Sequence, residues 1–234
     1  MLALIDADLL VYRVGWTTLA DPEEIAFYRM DEMFRGICEA LQTSDYKAFL
    51  TASGPHYRHE IYPAYKANRK AEKPTHYHRL RDYLLETHGA ELVLDQEADD
   101  ALGIMQTQML IDAQHGDYRD VSCIVTIDKD LDQIEGLHYN FVKKDFYPIT
   151  KEQGLRYFYE QLLMGDRIDN VPGIYGLGPV RARAALADCK SEKEMYDAVK
   201  KHYEKAGYTD ETLVRNGQLL KIRTVEGEVW QPPT

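Results

Sequence analysis

No run of about 18 consecutive apolar residues occurs in the chain, so no membrane-spanning helix is expected. The opening MLALIDADLL reaches acidic residues early and has no basic leader, unlike a secretory signal. Cysteine is scarce. Cys38, Cys123 and Cys189 have no paired spacing, which leaves no disulfide framework to read and fits a reducing cytoplasm. Internal repeats and low-complexity tracts are also missing. The 234 residues, 44% of them hydrophobic, can therefore bury one large core, or a core with a small appendage. Positive charge is short as well: 28 Lys and Arg against 39 Asp and Glu leave a net charge of −11. Taken as a sum, that speaks against a polyanionic partner.

The distribution says more than the sum. Arg58, Lys66, Arg69, Lys70, Lys73, Arg79 and Arg81 crowd one stretch against only Glu60 and Glu72. Four of the six residues from Asp95 to Asp100 are acidic. Such polarity suits an enzyme that grips phosphates with one patch and holds divalent cations with another.

The stretch from Gly165 to Arg183, GDRIDNVPGIYGLGPVRAR, organises the rest. Asp166 and Asp169 stand three apart and meet at one point if the backbone there makes a helical turn. Gly173, Gly176 and Gly178, with Pro172 and Pro179, then break any helix, and Pro179 is a good first residue for a new one carrying Val180, Ala184, Ala185 and Leu186. Helix, glycine hairpin, helix points backbone N–H groups at a phosphate.

Leu2–Ile5 reads as a buried parallel strand ending in Asp6, with Asp8 two residues on. Asp21-Pro22-Glu23-Glu24 reads as a helix start with Asp21 as N-cap, followed by a stripe of Ile25, Phe34, Ile37 and Leu41. A strand is expected over Tyr46–Leu50. The stretch His56–Lys70 interleaves basic and aromatic side chains, a pattern that grips phosphates and stacks bases. A helix over Pro74–His88 ends at Gly89, and Glu91–Leu94 is a short strand. Glu97, Asp99 and Asp100 crowd the start of the next helix beyond what capping needs, and such crowding implies a cation. Strands are expected over Ser122–Ile127 and Leu137–Val142, and helices over Leu155–Met164, from Ser191 to Gly207, and over Leu213–Ile222. Val225–Thr234 reads as a strand or arm.

Strands alternating with helices give an α/β fold with a central, mostly parallel sheet. Ligands of such sheets bind beyond the carboxyl ends of the strands. Seven carboxylates, Asp6, Glu97, Asp99, Asp128, Asp130, Asp166 and Asp169, can converge there. Oxygen-only ligation points to Mg²⁺ or Mn²⁺, as two ions about 4 Å apart. Asp8 and Asp100 are candidates to support these ligands from behind.

Several of these segments resemble the 5′-nuclease family of flap endonucleases, bacteriophage 5′→3′ exonucleases and the 5′-nuclease domains of bacterial DNA polymerases. They are LIDADLLVYR at the start, YRHEIYPAYKANRK, EADD, TIDKDLDQ and GDRIDNVPGIYGLG. The resemblance covers roughly Leu2 to Leu186. It implies a PIN-like core over residues 1–150 with a helical arch at about 55–90, and a C-terminal helix–hairpin–helix region over 151–234 that completes the same site. It implies Asp6, Asp128 and Asp130 as metal ligands and Lys66 and Arg69 as the catalytic pair on the scissile phosphate. Arg58, Tyr65, Lys70, Gly173, Gly176, Gly178 and Arg181 would contact DNA, with K⁺ at the hairpin. The implied activity is 5′→3′ exonuclease and flap endonuclease cleavage of DNA at 5′ ends, flaps or nicks, extending to the RNA of RNA–DNA hybrids, by a monomer in the cytoplasm of a bacterial or phage-infected cell. The chain departs from the family pattern at Thr51-Ala52, where many members end the second strand in Asp. A PIN-type ribonuclease, a dehalogenase-type phosphatase built on Asp6 and Asp8, and a non-catalytic junction-binding protein are the rival readings.

Overall fold

The computed structural model describes residues 1–69, 72–113 and 121–234. Its six-stranded sheet comprises β1 (Leu2–Asp6), β2 (Tyr46–Thr51), β3 (Glu91–Val93), β4 (Ser122–Val125), β5 (Gly136–Asn140) and β6 (Asp145–Ile149), in the order β3-β2-β1-β4-β5-β6. Pairing is parallel throughout except between β5 and β6. Side chains alternate across a strand, and β1 shows what each face covers. Ala3 and Ile5 pack with Leu10, Val14, Met30, Phe34, Leu80 and Leu84, from α1 (Ala7–Thr17), α2 (Glu23–Leu41) and, past the short α3 (Tyr57–Ile61), α4 (Tyr77–Thr87). Leu4, between them, faces Ala98 and Leu102 of α5 (Ala98–Asp112).

A second core lies to one side of the sheet. It gathers Phe158, Tyr159, Leu162 and Leu163 of α6 (Lys151–Met164), Ala182 and Leu186 of α7 (Pro179–Leu186), Val199 and Tyr203 of α8 (Glu192–Lys205), and Leu213 and Leu219 of α9 (Asp210–Leu220). Between α6 and α7 the chain makes a small antiparallel ladder, β7 (Gly165–Asp166) with β8 (Val171–Pro172).

Several expectations are corrected. β6 was not anticipated; its Pro148 is tolerated because the strand is an edge of the sheet. Pro22, not Asp21, caps α2, and the buried stripe is Ala26, Met30, Phe34, Ile37 and Leu41, leaving Ile25 exposed. Val180 is exposed, and Ala182 and Leu186 anchor α7 instead. Residues 225–234 form no strand; Trp230 seals the second core by packing on Gly217, where an added Cβ would fall 2.3 Å from the indole.

Candidate active site

Asp6 ends β1 and caps α1, its Oδ1 accepting from the Leu9 N–H at 3.3 Å. Its Oδ2 accepts from Thr126 Oγ1 at 2.9 Å. The same hydroxyl oxygen accepts from the Asp128 N–H at 3.0 Å, and Asp128 Oδ1 accepts from the Asp130 N–H at 2.9 Å. The loop after β4 is thus folded by its own acids against the end of β1. A 3₁₀ turn, Asp130–Gln133, follows, and Gln161 of α6 donates its Nε2 to Asp130 Oδ1 at 2.6 Å. Glu97 caps α5, its N–H donating to Asp100 Oδ2 at 3.2 Å, and Asp99 sits in the first turn.

Asp166 and Asp169 do meet, but not on a helix. Asp166 Oδ1 accepts from the N–H groups of Ile168 (2.7 Å) and Asp169 (3.2 Å), so its side chain makes the turn between β7 and β8. Gly165 ends α6 at φ +66°, where it touches Gly173 closely enough to exclude any Cβ.

Cationic side chains answer the charge at one end of this cluster. Lys66 Nζ binds Glu97 Oε1 and lies 3.5 Å from Asp169 Oδ2, while Arg69 binds Asp169 Oδ1. The Tyr65 hydroxyl sits 2.9 Å from Glu97 Oε2 and 3.0 Å from Asp169 Oδ2. Burial would raise the pKa of Glu97, but Lys66, Arg58 and His56 hold it down at about 2. Lys66 itself is at φ +56°, a left-handed conformation held by its N–H bond to the Asp169 carbonyl at 3.0 Å.

At the other end, Asp6, Asp99, Asp128 and Asp130 form no salt bridge among the described residues. Burial, then the charges of Asp8 and Asp128, raise the Asp6 pKa to about 7. Burial, then Asp128, Asp166 and Asp169, raise Asp130 to about 7. Asp99 is raised well above the ordinary carboxylate value by burial and then by Asp6, Asp128 and Glu97, and Asp128 is raised chiefly by burial. These mutual influences link all seven acids into one electrostatic unit.

Among the described residues no closed arrangement of three metal-ligating side chains exists. The donor set nonetheless fits a hard dication, because it offers only oxygen and four of its buried acids, Asp6, Asp99, Asp128 and Asp130, form no salt bridge among the described residues.

Several residues expected at the DNA or behind the metal ligands are held inside the protein. Arg58 is buried, not presented to solvent: its Nη1 and Nη2 grip Asp100 at 2.5 and 2.8 Å, and its Nε and Nη2 reach the carbonyls of Leu219 and Lys221, both at 2.9 Å. Tyr65 is only 3% exposed, its hydroxyl turned to Glu97 and Asp169. Asp100, expected behind the ligands, binds Arg58 and accepts from the Glu97 N–H, and Asp8 binds Arg81 Nη1 (2.6 Å) and accepts from the Thr51 N–H (2.8 Å). Lys70 lies outside the described residues. Where an Asp was missed, Thr51 Oγ1 accepts from the Ala98 N–H at 2.9 Å, so its side chain points toward the start of α5. In the hairpin, Gly176 is at φ +81°, Arg181 Nη1 donates to its carbonyl at 3.0 Å, and Gly178 caps α7 with open space around it. Sequence reasoning missed Gln161 and Arg81. A neutral glutamine carries no charge pattern, and Arg81 reads in the sequence as part of the phosphate-gripping basic patch, whereas it binds Asp8 and the Thr51 carbonyl.

A family model described as "5′-3′ exonuclease, N-terminal resolvase-like domain" matches residues 1–160. A flap endonuclease Xni from Shewanella piezotolerans is 28% identical over 214 residues, covering 84% of this chain and 80% of that one. A thermostable DNA polymerase I from Thermus thermophilus is 31% identical over 206 residues, or 79% of this chain but only 24% of the polymerase. Among solved structures, the T5 D15 protein co-crystallised with metal ions superposes with a TM-score of 0.70 at 16% identity, over 95% of this chain and 90% of that one. The catalytic core of Rad2 in complex with a DNA substrate gives 0.55 at 17%, over 99% and 83%. Both share the fold.

Proposed function

The chain belongs to the 5′→3′ exonuclease family, and from that premise we propose that it is a metal-dependent 5′→3′ exonuclease and structure-specific flap endonuclease acting on DNA. The observation that carries this reading is the cluster of Asp6, Asp99, Asp128 and Asp130, whose excess buried charge lies beside Lys66 and Arg69. The metal-ion and DNA complexes of the fold relatives support it. Asp6, Asp99, Asp128 and Asp130 would hold Mg²⁺ or Mn²⁺ in the free protein, and Asp166, Glu97 and Asp169 would complete a site for two such ions once a phosphate draws off Lys66 and Arg69. Bound there, such ions activate water and stabilise the leaving oxygen of an in-line displacement.

The chain's own groups do the rest. Lys66 and Arg69 carry positive charge to the place where phosphate charge builds. Glu97 and Asp169 hold that pair aimed into the crevice until a phosphate competes for it. The backbone N–H groups around Gly176 and Gly178 would seat a duplex phosphate, with K⁺ at the hairpin. The enzyme would act as a monomer in the cytoplasm.

Digestion of 5′-end-labelled flap, nicked and single-stranded DNA, with Mg²⁺ and with EDTA, tests the reading. Release of short 5′ products only with Mg²⁺ is expected. Cleavage of RNA alone would return a PIN-type ribonuclease, and binding to junctions without cleavage a non-catalytic protein.

A further inference from the structure

At the end of α9 and just past it, the five residues Leu219–Arg223 are held from both limbs of the crevice, and the grip alternates along the chain. Arg58 donates to the carbonyls of Leu219 and Lys221, and the Arg223 N–H donates to Asp100 Oδ1 at 3.0 Å. Arg58 Nη1 also stands 3.2 Å from Glu97 Oε2, so this set of bonds ends on the Glu97 limb. The even residues face the other way. Gln133 Nε2 donates to the Leu220 carbonyl at 2.8 Å, and the Ile222 N–H donates to Gln133 Oε1 at 3.2 Å.

Those two backbone groups fix the sense of an amide chain. A peptide N–H only donates and a carbonyl only accepts, so Gln133 must turn its Oε1 to Ile222 and its Nε2 to Leu220. The second hydrogen of that Nε2 goes to Gln161 Oε1 at 2.7 Å. Gln161 is then obliged to present its own Nε2 to Asp130 Oδ1. Gln133 and Gln161 are 5% and 6% exposed, so water does not offer either amide an alternative partner. A carboxylate that receives a donor on one oxygen is held in rotation with its other oxygen free.

We propose that Leu219–Arg223 is a clasp that sets the geometry of the metal-binding carboxylates, with Gln161, oriented through Gln133, as the positioning residue for Asp130. The proposal deepens the metal-dependent reading and rests on it. Losing an outer hydrogen-bond partner of a ligand typically costs about 10–100-fold in metal affinity or activity.

The test is titration of the DNA-free full chain with Mn²⁺ alone, free Mn²⁺ being followed by electron paramagnetic resonance. It compares wild type with Gln161→Met, Gln133→Met and the double variant. Gln161→Met is expected to raise the Mn²⁺ Kd about 10–100-fold. Gln133→Met, which touches no carboxylate, should raise it in the same direction, and the double variant should bind no more weakly than Gln161→Met. Flap-DNA affinity in EDTA should stay within about twofold of wild type, whereas general damage to the fold would weaken both. Gln161→Asn, which keeps the amide but shortens its reach, replaces Gln161→Met if that variant does not fold, with the same expectation. Wild type binding Mn²⁺ while the variants bind it equally well overturns the clasp alone. Wild type failing to bind Mn²⁺ overturns the metal-dependent reading with it.

Discussion

Glu97 and Asp169 share Lys66, Arg69 and Tyr65, whereas Asp6, Asp99, Asp128 and Asp130, in the same crevice, face one another with no salt bridge among the described residues, Lys66 only easing Asp99 and Asp128 from a distance. The first pair is internally neutralised: Glu97 stays ionised down to about pH 2. The second group holds protons up to about pH 7 at Asp6 and Asp130, because burial and repulsion make four adjacent charges costly. The difference separates two tasks. The uncompensated end waits for a dication, and the compensated end stores the basic groups that a phosphate will draw on.

Breaking the uncompensated end should have the largest effect. Asp130→Asn is expected to lower single-turnover cleavage about 10⁴-fold, the scale of losing an indispensable catalytic group, and Asp166→Asn, whose charge bears on Asp128 and Asp130, by a similar factor. DNA binding measured in EDTA should survive, because removing negative charge does not weaken attraction to a polyanion. Near-normal turnover of either variant in saturating Mg²⁺ would merge the two ends into one undifferentiated acidic surface.

Breaking the compensated end should cost less. Lys66→Ala is expected to slow single-turnover cleavage about 10²–10³-fold while changing DNA affinity little. If only affinity changes, Lys66 is a general phosphate contact and not a stabiliser of charge in the transition state.

The pH dependence of stability sharpens the same contrast. Folding raises Asp6 and Asp130 from 3.8 to about 7, so the metal-free folded chain keeps protons that the unfolded chain gives up. Their stabilisation is complete below about pH 4 and is lost as the pH rises through 7. His56 and His138, lowered from 6.5 to about 4, act oppositely, losing stability as the pH falls through that range. They are common to wild type and variant, so a difference cancels them. In EDTA, Asp130→Asn should therefore gain in melting temperature relative to wild type between pH 4 and 8, by about 2–4 °C for each kcal/mol relieved. A difference that stays flat with pH would show that Asp130 is not titrating near neutrality.

The smallest effect concerns β2. Thr51 directs its side chain toward the start of α5, beside Asp99, whereas the Ala52 N–H continues the strand ladder to the Val93 carbonyl at 2.9 Å. Thr51→Asp should lower the Mg²⁺ concentration for half-maximal cleavage, since an added anionic ligand strengthens a divalent site. Ala52→Asp should not. A leftward shift with Ala52→Asp alone would reverse the assigned facing of the strand end.

What was legible in the sequence was local. Asp128 and Asp130 lie two apart after an apolar strand, and their motif is complete within TIDKDLDQ. Glu97 and Asp99 declared themselves by crowding. The burial of Arg58 and Tyr65 was not legible, because basic and aromatic residues in one stretch look like a surface while their partners are remote: Asp100 is 42 positions from Arg58, and Asp169 is 104 from Tyr65. β6 was hidden by Pro148, which reads against a strand unless the strand is known to be an edge. Gln133 stood inside a recognised motif, yet only the path of Leu219–Arg223 gives its amide a direction.

The division of the crevice is tested most directly by anomalous scattering from crystals of the wild-type protein soaked in Mn²⁺. An anomalous peak is expected among Asp6, Asp99, Asp128 and Asp130, with Lys66 still bound to Glu97. A peak confined to Glu97 and Asp169, with Lys66 displaced and the four aspartates empty, would contradict it.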